Sequence, residues 1–151
     1  IVCCRQKLPI LDRSECAPAA EMERGAYVLL DAEDGEPDVI LMASGSELWK
    51  VVEARDKLAE QGVQARVVSF PSWELFEQQP EEYRRQVLPP EVTARVAVEA
   101  AVPFGWERWV GDGGTTLGVE TFGASAPFEV NMEKYGFTPE RIAEEALKLL
   151  S

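Results

Sequence analysis

The sequence contains no histidine. Histidine is the commonest general base near neutral pH and the commonest ligand of transition metals, so its absence removes the usual starting points for catalysis and for metal binding. The cysteines, Cys3, Cys4 and Cys16, are odd in number and include no Cys-x-x-Cys pair. Neither a disulfide framework nor a zinc site is therefore indicated, and three free thiols favour a reducing, cytoplasmic location.

Positive charge is scarce, and long apolar runs are missing. The 15 Lys and Arg residues face 27 Asp and Glu residues, which gives a formal net charge of −12. Because no basic patch is visible to offset the acidic excess, we expect neither nucleic acid nor an anionic membrane as a partner. No apolar segment reaches the length of a membrane span.

The first residues of the chain look like an interior segment of a protein. Ile1 is not a start methionine, and Ile1 to Cys4 resembles the end of a buried strand with nothing before it. We interpret the chain as the C-terminal piece of a larger protein, with N-terminal processing as the alternative. The irregular segment from Arg5 through Pro18 is typical of a linker.

The rest of the chain is organised around one strand–helix–strand unit. Val39 to Ala43 is an apolar run of strand length, and a helix with apolar residues at helical spacing follows it. Ser44 and Glu47 fit a capping box at the start of that helix, and Gly62 fits a left-handed position after its end. Ala65 to Phe70 is a second strand, so a parallel pair with a right-handed crossover is predicted.

Further strands and helices alternate along the chain. Strands are predicted over 26–31, 94–101 and 115–120, and the short return after the first one favours an antiparallel orientation for it. Helices are predicted over 73–78, 80–87, around 106–110, over 128–135 and from Thr138 with Pro139 at its first position. This pattern predicts a three-layer α/β/α domain with a five-stranded mixed sheet.

Three features could carry chemistry, and each has a structural alternative. Glu99 lies near the carboxyl end of a central strand, where open α/β sheets place their sites, but an ion-paired structural glutamate is the favoured interpretation. The Ser44–Glu47 turn could hold an anion, although Glu47 would repel phosphate and a structural cap is favoured. The acidic segment from Asp31 to Asp38 could bind a cation, although a solvated loop is favoured.

Trp106 and Trp109 are interpreted as core residues rather than interface anchors.

Several runs of the sequence resemble one family in the order in which that family has them. Arg5-Gln6-Lys7-Leu8-Pro9 resembles the Arg-Gln-Asn-Leu-Pro run found where transketolases pass from the pyrimidine-binding domain to the C-terminal domain. The remaining matches cover nearly the whole chain: 25–29, 43–47, 65–72, 87–90, 94–100, 122–127 and 135–138.

The resemblance implies the C-terminal domain of a transketolase, with residues 1–24 as the end of the preceding domain and a linker, and residues 25–151 as the domain itself. The family fold has a five-stranded mixed sheet with the first strand antiparallel. The whole enzyme transfers a two-carbon ketol unit from a ketose phosphate to an aldose phosphate. It works as a homodimer with thiamine diphosphate and a divalent metal, Mg²⁺ or Ca²⁺. In the family, this domain is non-catalytic and supports the dimer.

The family's catalytic, cofactor and metal residues belong to upstream domains, so the resemblance assigns none of them to this chain. It does assign Arg5 to the sugar-phosphate group of the substrate, while Lys7 departs from the usual Asn. Gly111-Asp112-Gly113 is similar to the start of the metal motif of thiamine diphosphate enzymes, which an Asn closes. The only Asn, Asn131, lies nearer than that motif's spacing, so an ordinary turn is favoured.

Two alternatives stay open. The chain could be a free-standing or regulatory module of the same superfamily that binds a nucleotide or a subunit at the carboxyl edge of its sheet. A related enzyme such as dihydroxyacetone synthase could also be the parent protein.

Overall fold

The apolar runs of the sequence form one mixed sheet in the computed structural model, which describes residues 6–151. The strands are β1 (Tyr27–Leu30), β2 (Val39–Ala43), β3 (Ala65–Ser69), β4 (Arg95–Val98) and β5 (Thr115–Leu117). Every residue of β2 and of β3 is buried, as helices on both faces of a parallel sheet require.

The strands lie in the spatial order β1-β3-β2-β4-β5. The pairs β2–β3, β2–β4 and β4–β5 are parallel, whereas β1 runs antiparallel to its neighbour β3. The predicted mixed sheet with an antiparallel first strand is therefore confirmed. β4 and β5 end three residues before their predicted ends. Beyond Val98, single hydrogen bonds such as that from Glu99 N to Leu117 O replace the regular ladder.

Within residues 6–151, six α-helices cover the two faces of the sheet: α1 (Leu48–Ala59), α2 (Trp73–Glu77), α3 (Glu81–Val87), α4 (Glu107–Val110), α5 (Phe128–Lys134) and α6 (Pro139–Leu149). On one face, α1, α5 and α6 pack through side chains such as Leu58, Met132 and Ile142. On the other face, Phe76 of α2, Val87 of α3 and Trp109 of α4 form a second core. The predicted three-layer architecture is thus confirmed.

The aromatic residues of the second core are buried as predicted. Trp106 and Trp109 are 1% and 8% exposed, and their rings lie 5.6 Å and 4.8 Å from the ring of Phe70, centroid to centroid. Aromatic pairs at such distances stabilise a core beyond their buried area. Both tryptophans are therefore core residues.

Local signals place the helix ends correctly at α6 and after α1. The Thr138 hydroxyl accepts a hydrogen bond from Arg141 N at 3.2 Å, and Pro139 is the first residue of α6. Gly62 has a φ of +77°, a conformation that favours glycine. No helix among residues 6–151 has both the length and the apolar character needed to cross a membrane.

Candidate functional site

The carboxyl ends of β2 and β4 meet where the strand order reverses. The chain leaves β2 for β3 on one side and later enters β4 on the other. In open α/β sheets, ligands bind in the crevice outside the strand ends at such a point. Ser44 to Glu47 follow β2 and Glu99 to Ala101 follow β4, so both segments border this crevice.

The predicted capping box at Ser44 and Glu47 is wrong. The Ser44 side chain makes no capping hydrogen bond, and Glu47 instead accepts a hydrogen bond of 2.5 Å from the Ser46 hydroxyl. The reason is that Gly45–Glu47 forms a turn of 3-10 helix, so the α-helix begins only at Leu48. Glu47 is only 4% exposed, so its carboxylate lies among the residues of this turn. A negative charge in this place opposes the binding of an anion by the N–H groups of the turn.

Glu99 lies in the crevice with its carboxyl group half-buried. Burial, together with the nearby charge of Glu47, raises the pKa of Glu99, and hydrogen bonds with the side chains of Trp106 and Ser44 partly offset this. No cation of residues 6–151 forms an ion pair with Glu99, so the predicted ion-paired glutamate is wrong in that respect. A carboxyl group that keeps its proton above the usual range can donate a hydrogen bond as well as accept one.

A cleft of about 770 Å³ opens beside this crevice, on the face covered by α5 and α6. Its wall is largely apolar and includes Val119, Phe128, Met132 and Phe137. Glu47 is the one charged side chain among the described residues that line it. A cleft with this lining suits an apolar group better than an anionic one.

Two polar side chains that line the cleft, Asn131 and Tyr135, form hydrogen bonds with the backbone of its loop. Asn131 Nδ2 donates to the carbonyl oxygens of Ala124 and Ala126, at 3.0 and 3.3 Å, and the Tyr135 hydroxyl donates to Phe122 O at 3.0 Å. Large apolar side chains lie exposed in the loops after β4 and β5 and on α5: Val102, Phe104, Phe122 and Val130. Apolar side chains exposed together on one surface are typical of contact surfaces.

The Gly111–Gly113 segment is a turn, as predicted. Gly111 ends α4 with a φ of +68°, and the chain enters β5 at Thr115. A side chain at Gly114 would overlap the backbone oxygens of Arg95 and Val110, at 2.6 Å each, so this turn packs tightly against its neighbours. Within residues 6–151, no group of three or more Asp, Glu, Cys or His residues could hold a metal ion.

Arg5, the predicted phosphate ligand, lies outside the described residues, as do Cys3 and Cys4. Its assignment therefore stays a prediction. Gln6, the next residue along the chain, lines the cleft. Cys16 is buried and free, and burial raises the pKa of its thiol. The features that sequence reasoning missed are the Glu47–Glu99 proximity and the apolar rim, which depend on segments that are far apart in the sequence.

Comparisons with known proteins agree with this architecture. The family model described as the transketolase-like TK C-terminal domain matches residues 25–138. The chain is 47% identical over 148 residues to the transketolase of Aquifex aeolicus, covering 98% of this chain and 21% of that protein. It is 43% identical over 150 residues to the transketolase of Geobacillus stearothermophilus, covering 99% and 22%.

Solved structures give the same result. A transketolase of Pichia stipitis in complex with sedoheptulose-7-phosphate superposes with a TM-score of 0.85 at 36% identity, covering 97% of this chain and 20% of that one. The chain thus spans about a fifth of the length of the transketolases that it matches. Because the family model covers well over half of its residues, the chain belongs to the family of transketolase-like C-terminal domains.

Proposed function

We propose that this chain is the C-terminal domain of a transketolase that transfers a two-carbon ketol unit from a ketose phosphate to an aldose phosphate. The observation that carries the proposal is the 43–47% identity to bacterial transketolases over 98–99% of the chain. Sugar phosphates as substrates are supported by the Pichia stipitis enzyme, which has been solved with sedoheptulose-7-phosphate. The proposed domain boundary, with 1–24 before it and 25–151 after it, is supported by the start of the family match at residue 25.

The domain is non-catalytic in this proposal. The parent enzyme uses thiamine diphosphate and Mg²⁺ or Ca²⁺, and the described residues at the carboxyl-edge cleft do not fit either group. They contain no group of carboxylates that could hold a metal, and the charge that lines the cleft is the Glu47 carboxylate, which would repel a diphosphate. We therefore assign the cofactor, the metal and the proton-transfer groups to the upstream domains of the same polypeptide.

The role of the domain is to support the homodimer and the packing of the upstream domains. The exposed apolar side chains Val102 and Phe122 support this role, since Val102 lines the cleft with the apolar wall and Phe122 lies between two lining residues, Thr121 and Gly123. The same surface favours subunit contact over nucleotide binding as the function of a free-standing module. A cytoplasmic location is supported by cysteines that form no Cys-x-x-Cys pair.

Arg5 binds the substrate phosphate in this proposal, and its replacement in the parent enzyme is the test. An arginine fork suits a bidentate phosphate contact, and a hydrogen bond to a charged group contributes about 1.5–3 kcal/mol. Arg5→Ala should therefore raise KM for phosphorylated sugars about 10- to 100-fold and leave KM for unphosphorylated sugars nearly unchanged.

Lys7→Ala is the matched control, because it removes a positive charge two residues away in the same segment. We expect it to change both KM values by less than about threefold, as a surface charge should. Equal effects of Arg5→Ala on phosphorylated and unphosphorylated sugars would refute the assignment of Arg5. A parent protein without ketol transfer would refute the proposed function as a whole.

A further inference from the structure

Four arginines line a second pocket, on the face of the sheet opposite the cleft. Arg84 and Arg85 belong to α3, Arg95 is the first residue of β4, and Arg108 belongs to α4. The pocket has a volume of about 340 Å³, and the rest of its wall consists of Phe76, Glu81, Leu88, Pro90 and Trp109. Four of the 15 basic residues of a chain with net charge −12 therefore lie around one small pocket.

Two of these arginines have carboxylate partners. Arg85 binds Glu81 one turn earlier on α3, with Nη2 and Nε at 2.8 and 2.9 Å from Oε1. Arg108 forms an ion pair with Glu77 of α2. Both ion pairs are largely exposed to solvent. Each arginine is therefore paired with a carboxylate but still contributes to the electrostatic potential in the pocket.

The other two arginines have no carboxylate partner within residues 6–151. Arg95 donates from its guanidinium to four backbone oxygens at 2.8–3.4 Å, and burial lowers its pKa. The side chain of Arg84 has neither a hydrogen bond nor an ion pair to any described residue. Arg84 therefore carries a positive charge that no described residue pairs, whereas the nearby charge of Glu91 acts on Arg95.

Two buried donors at this pocket also lack acceptors. Arg84 Nε and Trp109 Nε1 are both inaccessible to solvent, and neither has a hydrogen-bond partner in the described part of the chain. Trp109 as a whole is only 8% exposed. Because a buried N–H group without an acceptor is costly and rare in folded proteins, two of them in the wall of one cationic pocket indicate a missing acceptor.

We propose that the pocket formed by Arg84, Arg95 and Trp109 binds the phosphate or diphosphate group of a small molecule. The two unpaired donors are closed to solvent, so the anion bonds with them only when the side chains around the pocket shift. The surrounding arginines attract the anion electrostatically. The volume fits a small phosphorylated ligand rather than a protein segment. The site is lined by α2, α3, α4, β4 and the loop before β4, so it does not depend on the proposed ketol transfer or on Arg5.

The test is a titration of the 151-residue chain with inorganic pyrophosphate, followed by the indole N–H signals in ¹H–¹⁵N spectra. Trp109→Phe identifies the Trp109 signal among the four tryptophans. We expect that signal to move downfield and to saturate with a dissociation constant of about 1 mM or tighter, as two charge-assisted hydrogen bonds allow. A parallel titration with sodium chloride at the same ionic strength should leave it in place.

Arg84→Gln should weaken pyrophosphate binding at least about tenfold without lowering Tm, since the arginine has no partner to lose. Arg141→Gln is the matched control. It makes the same change in net charge on α6, where Arg141 pairs with Glu144 and Glu145, and it should leave the affinity within about twofold. The proposal is overturned if the Trp109 signal of the unmutated chain does not saturate, if chloride moves it equally, or if both variants weaken binding by the same factor.

Discussion

Asp31→Ala should destabilise the fold well beyond what an exposed ion pair contributes. The Asp31 carboxylate accepts two hydrogen bonds from Arg66 of β3, from Nε at 2.7 Å and from Nη2 at 3.1 Å. The Arg66 side chain is 7% exposed, whereas the Asp31 side chain is 44% exposed. Removing the carboxylate therefore leaves a buried cation with carbonyl partners only.

The expected cost lies between two limits. Breaking a fully buried ion pair costs about 3–5 kcal/mol, and an exposed pair is worth about 1 kcal/mol or less. Arg66 keeps hydrogen bonds to the carbonyl oxygens of Gln86 at 2.8 Å and Gly35 at 3.2 Å, and Asp31 is half-exposed, so both limits apply only in part. We expect Asp31→Ala to lower the free energy of unfolding by about 2 kcal/mol.

Urea denaturation of the 151-residue chain, followed by tryptophan fluorescence, measures this change as a shift of the midpoint at constant m. Glu81→Ala is the control, because its partner Arg85 is 63% exposed, and we expect it to cost less than about 0.5 kcal/mol. If Asp31→Ala costs no more than Glu81→Ala, the Arg66 contacts do not hold the first strand and its acidic loop to the sheet.

Three further predictions concern stability and association. Glu99→Gln should become more stable than the unmutated chain as the pH rises above 4.5, the ordinary pKa of a glutamate. The reason is that the folded state holds the Glu99 proton more tightly than the unfolded chain does, so the unmutated chain loses stability when that proton leaves. Urea denaturation across this pH range measures the difference in the free energy of unfolding. Gly25→Ala should lower the free energy of unfolding by about 2–3 kcal/mol, since Gly25 has a φ of +82° and a side chain there would overlap the backbone of Phe76. Thermal unfolding measures this loss against the control Gly35→Ala, which changes an open position with a φ of +79°. Phe122→Ser, at a fully exposed position, should leave Tm of this chain unchanged but weaken the dimer of the parent, as sedimentation would show.

Each of these predictions has a contrary outcome. A constant difference between Glu99→Gln and the unmutated chain at every pH would mean that the pKa of Glu99 is the same in the folded and unfolded chains. Equal costs at Gly25 and Gly35 would mean that close packing plays no part at Gly25. An unchanged parent dimer in Phe122→Ser would remove this residue from the proposed contact surface.

The sequence predicts the elements better than it predicts their contacts. The apolar runs at 39–43 and 65–69 become buried parallel strands. A short run without alternating polar residues is typical of a strand that is covered on both faces of a sheet. The sequence also predicts the start of α6, since the Thr138 hydroxyl caps the helix and Pro139 is its first residue. Local chemistry of this kind is visible in the sequence.

Contacts between distant segments are not visible in this way. Ser44 does not cap its own helix but lines one small pocket together with Glu99, 55 positions away, and only the fold brings the two together. Likewise, the absence of a basic run in the sequence suggested that no basic patch exists, yet three separate elements bring four arginines to one pocket. Clusters of this kind depend on the fold, so a local pattern in the sequence does not predict them.

The most direct test of the central claim is the ketol-transfer activity of the native polypeptide, purified with an antibody against this chain. The chain has a mass of 16.8 kDa and covers 21% of the Aquifex aeolicus transketolase, so dividing the mass by that share gives a polypeptide of about 80 kDa. We expect this polypeptide to transfer a two-carbon unit between sugar phosphates when thiamine diphosphate and Mg²⁺ are present. A purified polypeptide of any size without this activity would contradict the account.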